Sequence, residues 1–269
     1  MRYSQTQKPA LGQQINWAHP LVKGLVGCWL MGPAGVIDYG PNILSTAVVG
    51  DSILNGPDFI TLGGTNDYLT IPRSINYNPT EAVSIVSLCY PTSVAADGSI
   101  ISKTTTAGGT ATPFDCGFYC ASGTAYLKYG SASAIQYRVF SGQSIPINCW
   151  STLVYTHEGA ITVAPKFYLN GIFDVTPPIE RYSGSGTGMA TSNVNPILIG
   201  NRTDEGTDFL GSISYVLLYN RALTPQEVAQ LYQSPYAMFE RRPVWMNYTA
   251  PAVGLSIPVA MLNQRYRRI

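Results

Sequence analysis

Hydrolysis of a glycan by acid and base chemistry needs two carboxylates about 5–10 Å apart, one of them held protonated near neutral pH. On a strand, positions i and i+2 or i+4 share a face, so an ExDxE pattern would bring such a pair together. The sequence holds no such pattern. Its one acidic cluster, Asp204-Glu205 with Asp208, stands beside Gly206 between strand-like runs. Loop oxygens of this kind suit a hard cation, which makes Asp204 and Asp208 candidate calcium ligands. Asp38, in Ile37-Asp38-Tyr39-Gly40-Pro41-Asn42, is a third. All three equally suit ordinary solvated turns.

Two histidines are too few for a multi-histidine metal site. His157 lies in Tyr155-Thr156-His157-Glu158-Gly159, but four positions on stands Ile161, so the zinc-protease spacing HExxH is absent. His19 is isolated in Trp17-Ala18-His19-Pro20. No GxSxG nucleophile motif occurs, and no phosphate-binding glycine pattern joins a strand to a helix. The five cysteines, at 28, 89, 116, 120 and 149, form no CxxC. Cys28, Cys89 and Cys149 lie in apolar runs and read as small buried hydrophobes kept reduced. These residues point away from an enzyme and imply no cofactor beyond the candidate calcium. Eighteen tyrosines are the more suggestive chemistry, because a ring with a polar tip suits contact with a sugar or a protein. Tyr119, Tyr126, Tyr129 and Tyr137 fall close together on neighbouring expected strands.

The elements that must carry these residues are almost all strands. Twelve runs rich in β-branched and aromatic residues are expected at 24–31, 59–62, 68–71, 82–90, 98–103, 114–120, 125–129, 136–140, 150–156, 165–169, 197–200 and 211–219. Turn signals such as Gly63-Gly64, Asn78-Pro79, Asp97-Gly98 and Asn170-Gly171 punctuate them. With only turns between strands the sheets must be antiparallel, since parallel pairs need crossover helices. Asn170-Gly171 supplies the two positive φ angles of a type I′ hairpin. One helix is expected after Thr224-Pro225-Gln226-Glu227, where a hydroxyl cap, a first-position proline and a third-position glutamate form a capping box. Val228, Leu231 and Tyr232 then share a face that must dock on a sheet.

The chain has 269 residues, 45% apolar and only 12% charged, which excludes a disordered or coiled-coil protein. A net charge of +1 gives no overall field toward nucleic acid or an anionic membrane. No apolar run reaches the length of a membrane span, and the first residues lack the apolar stretch of a signal peptide, so assembly in a cytosol is expected. The near neutrality is a sum of unlike parts. Residues 235–269 carry five Arg and one Glu among Met238, Phe239, Val244, Trp245 and Met246, while residues 1–234 carry a small acidic excess. The expected organisation is an N-terminal arm at 1–20, a sandwich at 21–234 and a basic, apolar C-terminal arm at 235–269.

Three segments carry a family resemblance. Gly24-Leu25-Val26-Gly27-Cys28-Trp29-Leu30 followed by Ile37-Asp38-Tyr39-Gly40-Pro41-Asn42 resembles the opening strand and Asp-containing turn of laminin G-like, concanavalin A-like jelly rolls. Trp150-Ser151-Thr152-Leu153-Val154-Tyr155-Thr156-His157 with Phe167-Tyr168-Leu169-Asn170-Gly171 is similar to the family's central Trp strand and hairpin. The run from Ile197 to Val228, with Tyr219-Asn220-Arg221-Ala222-Leu223-Thr224-Pro225-Gln226-Glu227, resembles the closing strands and capped helix. The resemblance implies an all-β, two-sheet antiparallel jelly-roll sandwich with one short C-terminal-side helix and an extended C-terminal arm. It also implies glycan or protein binding, often with calcium, and in some relatives glycan hydrolysis. Many members carry an acidic residue where this chain has Ser214, and the hydrolase carboxylates are missing.

The ends are similar to those of laminin G-like proteins encoded by tailed bacteriophages: Asn16-Trp17-Ala18-His19-Pro20-Leu21 at one, Ser234-Pro235-Tyr236-Ala237-Met238-Phe239 and Trp245-Met246 at the other. That similarity implies a virion component, capsid decoration or tail-associated, assembled in the host cytoplasm. Arg241, Arg242, Trp245, Arg265, Arg267 and Arg268 are then the expected docking residues toward capsid or tail proteins or a second copy, with Trp245 as the apolar anchor. The alternative expectation is a carbohydrate-binding lectin module that attaches to a host glycan. Neither reading involves nucleic acid or membrane insertion.

Overall fold

The structure, a computed structural model, describes residues 8–10, 12–43, 45–50, 53–63, 66–74, 77, 82–93, 98–103, 114–119, 123–130, 136–159, 163–175, 179–183, 195–202 and 207–239. After a 3-10 turn at Pro20–Val22 the strands run β1 (Leu25–Gly32), β2 (Gly35–Asp38), β3 (Ala47–Val49), β4 (Ile53–Asn55), β5 (Ile60–Leu62), β6 (Tyr68–Ile71), β7 (Val83–Pro91) and β8 (Gly98–Lys103). They continue as β9 (Phe114–Tyr119), β10 (Thr124–Gly130), β11 (Gln136–Ser144), β12 (Ser151–His157), β13 (Lys166–Leu169), β14 (Ile172–Phe173), β15 (Ile179–Ser183), β16 (Ile197–Ile199) and β17 (Gly211–Tyr219), before helix α1 (Pro225–Gln233). Each of the twelve expected strands is present. The others, β2, β3, β4, β14 and β15, are short pieces at or near sheet edges.

One sheet runs β14-β13-β12-β7-β17-β1-β2, with β5 added to β17 and β4 added to β5. The other runs β15-β11-β10-β9-β8-β16-β6-β3. Neighbours are antiparallel throughout, as the turn-only connections require. Inward residues of both sheets, among them Trp29, Ile60, Leu69, Ile85, Ile101 and Ile213, fill one core between them. The Asn170-Gly171 hairpin has φ of 51° and 76° at its two turn residues, the type I′ geometry the dipeptide implies.

A second apolar cluster lies on the outer face of the nine-stranded sheet. Cys28, Val86, Val154, Tyr168, Leu217 and Tyr219 point outward there and are roofed by Leu21, Leu223, Val228, Leu231, Met238 and Phe239. α1 therefore lies on this face, with Val228 and Leu231 fully buried. Tyr232 departs from the expected stripe: it is 46% exposed and lies across the hairpin turn, where a Cβ on Gly171 would come within 2.9 Å of its ring. The terminal segments complete the roof. Ile15 and Phe239 form an isolated antiparallel bridge, and the Asn16 N–H donates to the Met238 carbonyl at 2.8 Å. The described parts of both expected arms thus pack on the sandwich itself.

Candidate functional site

Beside that cluster, where β5 adjoins β17, the same sheet carries aromatic rings: Phe59 and Tyr90 are half-buried and Trp150 is exposed. β17 sits between β5 and β7, and Ser212 lies opposite Thr61 on one side and Tyr90 on the other. Residues in cross-strand register point to the same side. Ile60, Leu62 and Ile213 are buried inward, so alternation turns Thr61, Ser212 and Tyr90 outward. The Thr61 and Ser212 hydroxyls are hydrogen-bonded at 2.7 Å. Trp150, just ahead of β12, stands between Phe59 and Tyr90, with ring centroids 5.6 Å from each.

Local backbone features hold these rings in place. Asn148 adopts φ of 55°, and its N–H donates to the Pro91 carbonyl at 2.7 Å, which ties the turn before Trp150 to the end of β7. Gly56 donates to the Phe59 carbonyl at 2.7 Å, and a Cβ at Gly56 would lie 2.5 Å from the Phe59 ring, so only glycine permits this close approach. Trp150 remains 38% exposed and neighbouring Ile147 48%. Rings on a rigid sheet can stack on the apolar face of a sugar ring, and the half-buried Thr61 hydroxyl, backed by the buried Ser212, can exchange hydrogen bonds at its rim. Phe59, Tyr90, Trp150, Thr61 and Ser212 include no carboxylate or imidazole.

The residues expected from sequence lie elsewhere. Asp38 is paired with Trp29 across β1 and β2, and its Oδ1 accepts the Gly40 N–H at 2.7 Å. Asp208 Oδ1 accepts the Asn66 N–H at 2.9 Å and an Asn201 Nδ2 hydrogen at 2.6 Å. Asp204 lies outside the described residues, as do Arg241, Arg242, Trp245, Arg265, Arg267 and Arg268. Among the described residues no group of three or more His, Cys, Asp or Glu side chains is arranged to hold a metal ion. His157 is buried and spans its own turn: Nδ1 accepts the Gly159 N–H at 3.1 Å, so Nε2 carries the hydrogen toward the Val163 carbonyl at 3.0 Å. Burial lowers its pKa, which keeps the imidazole neutral.

One sequence expectation needs correction. Cys28 and Cys89 are buried free thiols, but Cys149 is exposed, because the left-handed Asn148 turns the chain outward before β12 begins. The four grouped tyrosines do fall on neighbouring strands, Tyr119 on β9, Tyr126 and Tyr129 on β10 and Tyr137 on β11, with Tyr129 and Tyr137 in register and Tyr126 buried. The ledge instead draws on residues 59, 90 and 150, each unremarkable in its local pattern.

A family model described as the concanavalin A-like lectin/glucanases superfamily matches residues 63–229. No curated protein matches the chain. Among solved structures, the binding domain of Paraclostridial Mosquitocidal Protein 1 superposes with a TM-score of 0.58 at 16% identity, over 81% of this chain and 53% of that one. A Trypanosoma rangeli sialidase in complex with sialic acid gives 0.57 at 16% identity, over 80% and 33%. This chain thus spans about half of the first and a third of the second. Domain 4 of AbnA, an extracellular arabinanase from Geobacillus stearothermophilus solved with arabinotriose, gives 0.57 at 17% identity, over 77% of this chain and 98% of that domain.

Proposed function

The chain belongs to the concanavalin A-like lectin/glucanase superfamily, and from that premise we propose that it is a non-enzymatic binding module that holds a glycan on the Phe59–Trp150–Tyr90 ledge. The ledge carries this reading: a half-exposed tryptophan braced by two rings beside a hydroxyl pair is a stacking surface with a polar rim. The likeness to an arabinanase domain solved with a bound oligosaccharide, matched over nearly its whole length, supports a sugar as the ligand. The test is retention on a glycan array with and without Trp150→Ala. Binding to a defined oligosaccharide should weaken about tenfold in the variant, equivalent to about 1.4 kcal/mol, with the melting temperature unchanged. Retention unaffected by the substitution, or no retention of the parent chain on any glycan, overturns the reading.

The Ile15–Phe239 bridge favours a second reading, in which the module is a bacteriophage virion structural protein docked through its termini. The bridge places Ile15 of the N-terminal arm beside Phe239 of the C-terminal arm. Arg241, Arg242, Trp245, Arg265, Arg267 and Arg268 are the proposed contacts, with capsid or tail proteins or a neighbouring copy as partner. Here a chain ending at Phe239 should fold yet fail to join particles, and full incorporation of that chain would rule the docking role out.

A further inference from the structure

β17 changes partners in mid-strand. Residues 215–219 pair with β1, residues 211–213 pair with β5, and Ser214 falls at the change, where the register with β7 also shifts. A break of this kind interrupts the ladder and leaves backbone carbonyls without N–H partners from the sheet. Three carbonyls converge at the break: Met31 from the end of β1, Asp58 from just ahead of β5, and Ser214 itself. All three accept from a single group, the Lys8 ammonium, the Asp58 oxygen at 2.6 Å and the Ser214 oxygen at 2.8 Å. The Ser214 hydroxyl oxygen lies 3.2 Å from the same nitrogen and donates its own hydrogen to the Asp58 carbonyl at 2.6 Å. An ammonium has three N–H donors, and three carbonyls use them all.

We propose that this oxygen cage is a receptor site for a monovalent cation or a small primary ammonium group, filled in the intact chain by its own Lys8. The converging atoms are neutral: three carbonyls and a hydroxyl. Such a set matches one positive charge, whereas a divalent hard ion draws carboxylates into its shell. Asp58 offers its carbonyl to the cage, and its carboxylate charge favours the ammonium against the cost of burial. The cage oxygens come from β1, β17 and the segment leading into β5, none of them from the N-terminal segment that carries Lys8. The N-terminal segment and a free cation therefore compete for the same oxygens, and Lys8 secures that segment to the sheet at the point where the ladder is open.

The test compares the parent chain with Lys8→Ala at a pH well below 8, where the parent's ammonium is charged. The substitution should lower the thermal midpoint. Potassium or methylammonium chloride should restore it by roughly 2–4 °C more than the same concentration of tetramethylammonium chloride, which has no N–H to donate and is too wide for the cage. The parent should respond to all three salts alike. Equal responses of the variant to the three salts, or the same selective gain in the parent, would overturn the proposal. If the variant does not fold, the parent alone decides: its Lys8 ammonium should give a slowly exchanging nitrogen resonance, and exchange as fast as that of a surface lysine rules the cage out.

Discussion

Ile15 and Phe239 face each other across an antiparallel bridge on the outer face of the nine-stranded sheet, and both side chains are buried. The Phe239 ring meets Tyr39 edge-on at 5.1 Å and Tyr236 at 6.3 Å, and Tyr236 in turn meets Tyr215 at 5.9 Å. The two ends of the described chain are thus one roof over the sheet, and the stretch from Pro235 to Phe239 belongs to the sandwich energetically. Phe239→Ala should cost about 3–5 kcal/mol and Ile15→Ala about 2–5 kcal/mol. Because the two residues touch the same cluster, the double variant should fall short of the sum by about 0.5–3 kcal/mol. Denaturant unfolding of the four chains measures this. A chain cut after Ser234 should be destabilised by the loss of Met238 and Phe239, whereas a cut after Phe239 keeps them.

The entry to α1 gives a separate prediction. Thr224 and Glu227 complete the capping box, and Arg221 grips the Glu227 carboxylate with two hydrogen bonds of 2.7 and 2.8 Å. The Arg221 guanidinium first, then the Thr224 backbone, hold the Glu227 pKa below its ordinary value. A carboxylate with a lowered folded pKa adds stability above its unfolded value of 4.5, and that stability is lost as the pH falls through the folded pKa. Thr224→Ala should cost about 0.5–2 kcal/mol at neutral pH. Glu227→Gln should also lower the neutral-pH melting temperature, and the parent and variant curves should draw together in acid. A constant gap between them at every pH would contradict this account of the ion pair.

Those elements were legible because each is written in adjacent residues. A capping box spans four positions, a type I′ turn two, and a strand announces itself by alternation, so twelve strands, the Asn170-Gly171 hairpin and α1 could be read directly. Short edge strands such as β3 and β14 carry too few residues for a period to show. The ledge was not legible, because Phe59, Tyr90 and Trp150 meet only through the order of β5, β17 and β7, which local pattern does not contain. The same holds for Lys8. Nothing around it in the sequence marks it as the partner of a β-bulge in the last strand.

Alkaline stability should pass through a maximum. Burial lowers the pKa of Lys103 to about 8, against an ordinary 10.5. Between those values the unfolded chain binds protons that the folded chain has released, so stability rises with pH. Burial acts in the opposite direction on Tyr77, Tyr215, Tyr219 and Tyr236, whose phenols are raised from 10.0. Above pH 10 the unfolded tyrosines lose protons that the folded ones keep, and stability falls. Denaturation midpoints taken across this range should climb from pH 8 toward 10 and then drop. Tyr219→Phe should soften the drop at little cost near neutrality, since the buried Tyr219 hydroxyl has no hydrogen-bond partner among the described residues. Lys103→Met should flatten the climb.

Asp208 distinguishes a hydrogen-bonding role from a calcium-binding one. Its Oδ1 ties the Asn66 N–H, in a left-handed turn with φ of 66°, to the Asn201 side chain. Asn201 in turn accepts the Arg202 N–H. One carboxylate oxygen therefore joins the turn between β5 and β6 to the loop between β16 and β17, and a cation could claim that oxygen only by displacing two donors. Asp208→Ala should cost about 1–3 kcal/mol, the penalty of leaving those donors without an acceptor. Asp208→Asn keeps an acceptor oxygen and should cost less. Neither cost should change when calcium is added or chelated, and the parent's melting temperature should be indifferent to both. A loss of several degrees on chelation, abolished in Asp208→Asn, would instead make this carboxylate a metal ligand.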